Sequence, residues 1–166
     1  MKWRWIGLGI LSISIIIGLG LLWHNRLPKT QASINFEPPS NLQVGGQFEV
    51  PLTISTTQTI NAAEFYFAFP TNLVQVKQIK VDGSFFQLWV KNSPSFANDK
   101  GNIYLAGGLP TPGFSGKNGH VATVVFVAKQ VGIGQITLDA KSRILLNDGK
   151  GTALPATYSP VSLIIR

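Results

Sequence analysis

The stretch Ala63-Glu64-Phe65-Tyr66-Phe67-Ala68-Phe69 alternates strictly between large apolar residues and others. In an extended chain, residues i, i+2 and i+4 point to one side. The alternation therefore puts Phe65, Phe67 and Phe69 on one face and Glu64, Tyr66 and Ala68 on the other. Three phenyl rings in a row make a core stripe, since each aromatic buries on the order of 150–250 Å². Glu64 and Tyr66 then look outward. A strand that is apolar on one side must be covered by a second layer.

The segments on either side repeat the signal. Ile34 to Glu37 opens a strand that stops at Pro38-Pro39, and Phe48 to Ile54 follows the turn Gly45-Gly46. Pro51 within it has no N–H for a ladder and predicts an edge position. Leu73 to Val81 and Phe85 to Val90 come next, then Ile103 to Ala106, ended by Gly107-Gly108. Leu109 to Gly119, rich in Pro and Gly, reads as a long loop. Val121 to Ala128 is almost wholly apolar, as expected of a central strand covered on both faces. Ile136 to Leu138, Ile144 to Leu146, the turn Asn147-Asp148-Gly149 and a last strand Val161 to Ile165 complete the chain. No helical period occurs after residue 33. The reading is all-β: a jelly-roll-like β-sandwich of about nine strands over residues 34–166, with the first and last strands adjacent.

The N-terminus is of a different kind. From Trp5 to Trp23 there is no charged residue. A helix of that length reaches about 28 Å, close to the ~30 Å hydrocarbon core of a bilayer. A Trp stands at each end, where indoles favour the membrane interface. Residues 5–23 are expected to form one N-terminal transmembrane helix, within a membrane anchor spanning residues 1–26. Residues 27–33 form a short polar linker. A cleaved signal peptide is the alternative; its nearest cleavage point would be Thr30-Gln31-Ala32, and its apolar core is normally shorter, about 7–15 residues. A pilin-type leader would need a Glu early in the apolar run, and no acidic residue precedes Glu37. The four-residue tail is simplest to leave in the cytoplasm. The expected location is a single-pass membrane protein with the bulk of the chain extracytoplasmic.

Net charge is +7, but Lys2, Arg4, Arg26 and Lys29 flank the apolar segment. The remaining ten basic and seven acidic residues make an ordinary surface, so no nucleic-acid partner is expected. With no cysteine there are neither disulfides nor thiolate metal sites.

Catalytic signatures are absent. The two histidines are His24 and His120, and a hydrolytic triad would have to use His120, which begins a strand. The seven carboxylates form no facing pair in the sequence of the sort that glycoside hydrolysis uses. Asn147-Asp148-Gly149-Lys150-Gly151 holds one carboxylate where a calcium loop needs several oxygen ligands, so it reads as a hairpin turn. The Gly-rich stretches lack a Walker lysine. No catalytic residue, metal or cofactor is expected. The remaining candidates are binding surfaces. Phe86 alternates with Leu88 and Val90, and Phe85 with Gln87 and Trp89. If one set is exposed near Tyr66 or Tyr104, then Phe85 and Trp89, together with Phe114 on the Pro/Gly loop, are the candidates for stacking on sugar rings.

The order of these motifs resembles the cohesin domain, the dockerin-binding module of bacterial cellulosome scaffolds. That family typically has a Gly turn leading into an x-x-Ile-Pro-Val strand, matched by Val44 to Leu52. An Ile-x-x-x-x-Phe-x-Tyr-x-Tyr-Asp strand followed by Leu is matched by Ile60 to Pro70 and Leu73. A Gly, an apolar strand ending in a basic residue and a Gly turn are matched by Gly119 to Lys129 and Gly132. The match runs from about Ser33 to Arg166. It departs at Gly46 and Pro70, where the family has Asp, and at Gly107-Gly108-Leu109, which replaces an acidic stretch. In cohesins one sheet face holds the dockerin, partly through outward residues of the aromatic strand; the resemblance carries this onto Ala62, where the usual Asn is lost, and Glu64, where the acid is kept. Tyr66 and Tyr104 join them as partner-binding candidates. The resemblance implies a non-catalytic module for a dockerin-like protein. Dockerins fold around calcium, so chelation should abolish such binding. A carbohydrate-binding module of similar fold, taking polysaccharide on Phe85, Trp89 and Phe114, and a structural subunit of an envelope assembly are the alternatives.

Overall fold

The computed structural model describes residues 32–166. The apolar segment 5–23 and most of the linker lie outside the described residues. Every described element is a strand: β1 (Ala32–Phe36), β2 (Gln47–Ala68), β3 (Val74–Lys80), β4 (Leu88–Trp89), β5 (Ser95–Ala97), β6 (Asn102–Gly108), β7 (Phe114–Ala128), β8 (Gly132–Leu138), β9 (Arg143–Leu146), β10 (Ala153–Leu154), β11 (Ala156–Tyr158) and β12 (Val161–Ile165). β1 begins at Ala32, so the last two linker residues already belong to the sheet.

Twelve strands replace the expected nine or so, for definite reasons. Phe48–Ile54 and Ala63–Phe69 are not separate strands but parts of the 22-residue β2. Its first half pairs with β1 and β7, its second half with β6, β8 and β9. Between the halves the register against β7 slips at Leu52/Thr53, Ile54/Thr56 and Thr56/Ile60. Buried Thr56 closes the bend: its hydroxyl donates to the Gln58 carbonyl at 2.9 Å and accepts the Gln58 N–H at 3.1 Å. Irregularities of this kind let one strand turn a corner between packed sheets. The loop expected over Leu109–Gly119 is also corrected, because β7 begins at Phe114 and Phe114 pairs with Ile60.

The result is two layers joined through β2. One runs β3–β7–β2–β1–β11. The other has β4 and β5 on β6, then β2, then β8 and β9, with β12 on β8 and β10 on β9. All pairs are antiparallel except β1 with β11. The last strand is therefore not beside the first: β12 pairs with β8, and an isolated parallel bridge joins its Ile165 to Leu42, ahead of β2.

Pro51 lies in an interior strand, contrary to the edge expected. Its carbonyl accepts the Glu37 N–H at 3.2 Å, so the side lacking an N–H faces the neighbour just where β1 has ended at Phe36. A proline costs the ladder nothing there.

The phenylalanine stripe is the core. Phe65, Phe67 and Phe69 are all buried. Phe67 stacks on Phe36 at 5.1 Å between centroids and meets the Tyr158 edge at 6.1 Å, while Phe69 meets Phe126 at 5.8 Å. Each of these contacts joins one layer to the other. As expected, β7 is a central strand, paired on one edge with β2 and on the other with β3, and is buried on both faces from Val121 to Ala128 apart from Thr123 and Val127.

Candidate functional site

The face of β2 opposite the phenylalanines carries Ala62, Glu64, Tyr66 and Ala68. On β6 the residues directly across are Gly108, Ala106, Tyr104 and Asn102. On the other flank, Ala62 faces Leu145 of β9 and Glu64 faces Arg143. Cross-strand partners share a face, so the four expected partner-binding positions lie together on one outer surface. Ala62, Glu64, Tyr66 and Tyr104 are all half-buried.

Glu64 is the hub of this surface. Its Oε1 accepts the Tyr66 hydroxyl at 2.6 Å and the Tyr104 hydroxyl at 3.2 Å. Its Oε2 accepts Arg143 Nε at 2.9 Å and lies 2.8 Å from Nη2. The rings of Tyr66 and Tyr104 lie 4.9 Å apart, and Lys141 Nζ sits 4.1 Å from the Tyr66 ring centroid, within cation–π range. The turn from β8 to β9 supplies Lys141 and leads into Arg143, the first residue of β9; it is tied down by Ser142, whose Oγ accepts the Tyr66 N–H at 3.0 Å. Beside the cluster is a depression of about 420 Å³ whose lining includes Tyr66, Asn102, Tyr104, Thr137, Asp139 and Lys141.

The electrostatics follow from these bonds. The Tyr66 hydroxyl above all, against the opposing effect of burial and helped by Arg143 and the Tyr104 hydroxyl, holds the Glu64 carboxyl below its usual value. The same contact pushes Tyr66 up to about 12. Burial, followed by Glu64, raises Tyr104. Burial also pushes Tyr158 up to about 12, and its hydroxyl donates to the Ile136 carbonyl at 2.7 Å. The three tyrosines of the chain thus all ionise above their ordinary value of 10.0. A folded pKa above the unfolded one favours the folded state below that pH, and the advantage disappears as pH rises through the folded value. Phenolate absorbance near 295 nm is therefore expected to reach well under half its maximum at pH 10, with the remainder appearing toward pH 12 or on unfolding. Half-maximal phenolate in the folded protein at pH 10 would contradict this geometry.

The aromatic candidates sit elsewhere. Trp89 pairs with Gly107, which places it on the core side of β6, away from Tyr66 and Tyr104. Phe86 is buried and meets Trp89 edge-on at 5.8 Å. Phe85 stacks flat on Phe114 at 4.2 Å. Phe85, Trp89 and Phe114 are half-buried and pack against the core. Gly107 permits this, because a Cβ there would meet Phe86, Trp89 and the Leu88 carbonyl at 2.9–3.2 Å. The expected exposed aromatic set is thus replaced by an aliphatic one. Leu88 and Val90 are 62% and 53% exposed, and Leu88, across from Gly108, shares the face of Ala62. The alternation fails because the chain is not yet a strand at Phe86, whose N–H is taken by Ser84 Oγ at 3.1 Å.

Asn147 to Lys150 lies in the connection between paired β9 and β10, as the hairpin reading expects. Asp148 is used internally, accepting the Lys150 N–H at 2.9 Å and the Thr152 hydroxyl at 2.5 Å. His120 bonds Thr123 at 2.9 Å and is placed by β7, one row from β2. Among the described residues no three of His, Asp and Glu gather as a metal site.

A family model for the cohesin domain matches residues 33–156. The chain belongs to the cohesin family. Solved structures agree in fold. A cohesin module from a family 33 glycoside hydrolase of Clostridium perfringens aligns with TM-score 0.63 at 17% identity, covering 83% of this chain and 98% of that one. Two type I cohesin–dockerin complexes of Clostridium thermocellum align similarly. The OlpC complex has TM-score 0.65 at 11% identity over 85% of this chain and 97% of its own. The OlpA complex has TM-score 0.62 at 16% identity over 82% and 99%. No curated protein matches the sequence. Cohesin modules are non-catalytic protein-binding domains, so this cohesin is not an enzyme.

Two charged residues that the structure adds to this face, Arg143 and Lys141, are not among the sequence candidates. Arg143 is 79 positions from Glu64 in the chain. Only the pairing of β9 with β2 brings them together, and nothing in the composition near Arg143 signals it.

Proposed function

We propose that this cohesin recognises a dockerin-like protein through the outer face of β2, β6 and β9, centred on Glu64, Tyr66 and Tyr104. The observation that carries the proposal is the saturated cluster around Glu64. A carboxylate, two phenols and a guanidinium are held in fixed geometry on the sheet face, around the position, Glu64, that the resemblance to cohesins assigns to the partner interface. Rigid side chains lose little conformational freedom on binding, which favours recognition by a preformed surface. Family membership and the cohesin–dockerin complexes among its structural neighbours support the same reading.

The proposal extends to location. Residues 5–23 would anchor the module in a membrane with the sandwich outside the cytoplasm. Residues 24–31, even fully extended, span at most about 29 Å, so the partner would be collected close to the lipid surface. Many copies on one membrane would strengthen capture by multivalency. Anchoring predicts that the full chain stays with the membrane pellet after alkaline carbonate extraction, and that external protease releases the sandwich from sealed cells. Release of the full chain into the carbonate supernatant would refute it.

The test of partner class is capture from the organism's own extract on the immobilised, detergent-solubilised full chain, with and without a calcium chelator. A retained protein with paired Asp-rich loops, lost on chelation, is the expected result. Retention of polysaccharide alone, or of nothing, would defeat the proposal.

A further inference from the structure

The hydrogen-bond inventory of the Glu64 cluster is uneven. A carboxylate offers about four lone-pair sites. Those of Glu64 meet two phenolic hydroxyls and two guanidinium nitrogens. Glu64 therefore has no acceptor left for a partner unless an internal bond breaks. Both phenols have spent their only donor on it. The unspent groups are donors. Arg143 uses the Nε–Nη2 side of its fork on Glu64, and among the described residues no acceptor takes its remaining N–H groups. Lys141 Nζ is ion-paired with Asp139 Oδ2 at 3.7 Å, too long for a hydrogen bond, so its N–H donors stay open to a partner, and its other near neighbour is the Tyr66 ring.

The charges are also layered. The formal charges of Glu64, Asp139, Lys141 and Arg143 cancel, but the Glu64 side chain is 21% exposed whereas Lys141 and Arg143 are 59% and 60% exposed. The Asp139 side chain is 51% exposed and lines the depression beside the cluster, and its Oδ1 accepts the Lys141 backbone N–H at 2.9 Å and shapes the turn. Over Glu64 itself an approaching surface meets the Arg143 and Lys141 donors first and the Glu64 carboxylate only beneath them, with the Asp139 carboxylate also exposed nearby.

We propose that the partner docks an acidic side chain onto Arg143 and Lys141, and that Glu64 positions these groups without itself receiving the partner. A carboxylate fits the outer edge of the Arg143 guanidinium in the planar, two-bond geometry that arginine favours, with Lys141 as a neighbouring point charge. This inference rests on the dockerin reading of the same face and specifies the chemistry that the dockerin must present.

The test uses the dockerin captured by the full chain in detergent. Its affinity is measured for wild type, for Lys141→Glu, and for Lys141→Glu combined with Arg143→Gln. Lys141 makes none of the four bonds to Glu64 and is exposed, so Lys141→Glu is expected to fold, which its urea unfolding midpoint checks. It is expected to weaken binding about tenfold, and the double variant about a hundredfold. Raising salt from about 50 to 500 mM should weaken wild type more than either variant, because screening acts on the lost charges. Replacing the dockerin's docking Asp or Glu by Lys should restore much of its affinity for Lys141→Glu. Affinities within about twofold of wild type for both variants would overturn the acidic-docking inference while leaving the dockerin reading intact. Failure of wild type to retain any dockerin would overturn both.

Discussion

Replacing Phe67 by Ala is expected to destabilise the sandwich by about 3–5 kcal/mol, a large part of the ~5–15 kcal/mol that holds a typical domain together. The reason is position as well as size. Phe67 is 2% exposed, stacks on Phe36 of β1 and meets Tyr158 of β11, both in the opposite layer. On its own strand its ring lies 5.9 Å from that of Phe65. Removing it opens a cavity between the layers that rigid strands cannot close. Urea unfolding followed by tryptophan fluorescence should show a lower midpoint with an unchanged slope. A loss below about 1 kcal/mol would mean that the layers do not meet at Phe67 as described.

Glu64→Lys is expected to weaken dockerin binding at least about thirtyfold, through loss of the group that positions Arg143 and the two phenols rather than of a direct contact to the partner. The substitution removes the common acceptor of Tyr66, Tyr104 and Arg143 and adds a third cation beside Lys141 and Arg143. The phenols would lose their fixed orientation and Arg143 its anchor. Glu64→Gln is the milder companion: it keeps one acceptor oxygen and removes the charge, and should fall between the two. The sandwich itself should remain folded, because the face is outside the core. Acid should mimic part of the effect. The folded carboxyl lies below its ordinary 4.5, so its contribution to stability is present above pH 4.5 and is lost as pH falls through the lower folded value. The stability difference between wild type and Glu64→Gln should therefore shrink as pH is lowered from 7 toward 3.

The phenylalanine stripe and the outward placement of Glu64 and Tyr66 were legible in the sequence because a strand has a period of two and one buried face. The length of β2 was not. Thr56-Thr57-Gln58 reads as a polar connection, and the bend there depends on the Thr56 hydroxyl bonding Gln58, which composition does not reveal. Pro51 misled because a missing N–H marks only which side of a strand is unpaired at that residue, not whether the whole strand lies at an edge. Phe86 misled because periodicity was applied before the strand begins. At the site, Glu64, Tyr66 and Tyr104 were found through local pattern and family resemblance, whereas Lys141, Arg143 and Leu88 depend on register between distant segments. Such pairings carry no local signature until the sheet is assembled.

The central claim is that one face, and not the whole surface, receives the partner. Amide and side-chain NMR shifts of the cohesin on addition of its captured dockerin test this directly. The account predicts that the perturbed resonances gather on residues 62–68, 102–108 and 139–145, with the Arg143 and Lys141 side chains among the largest changes. Perturbations gathered instead on β3 and β7, in the opposite layer, would contradict it.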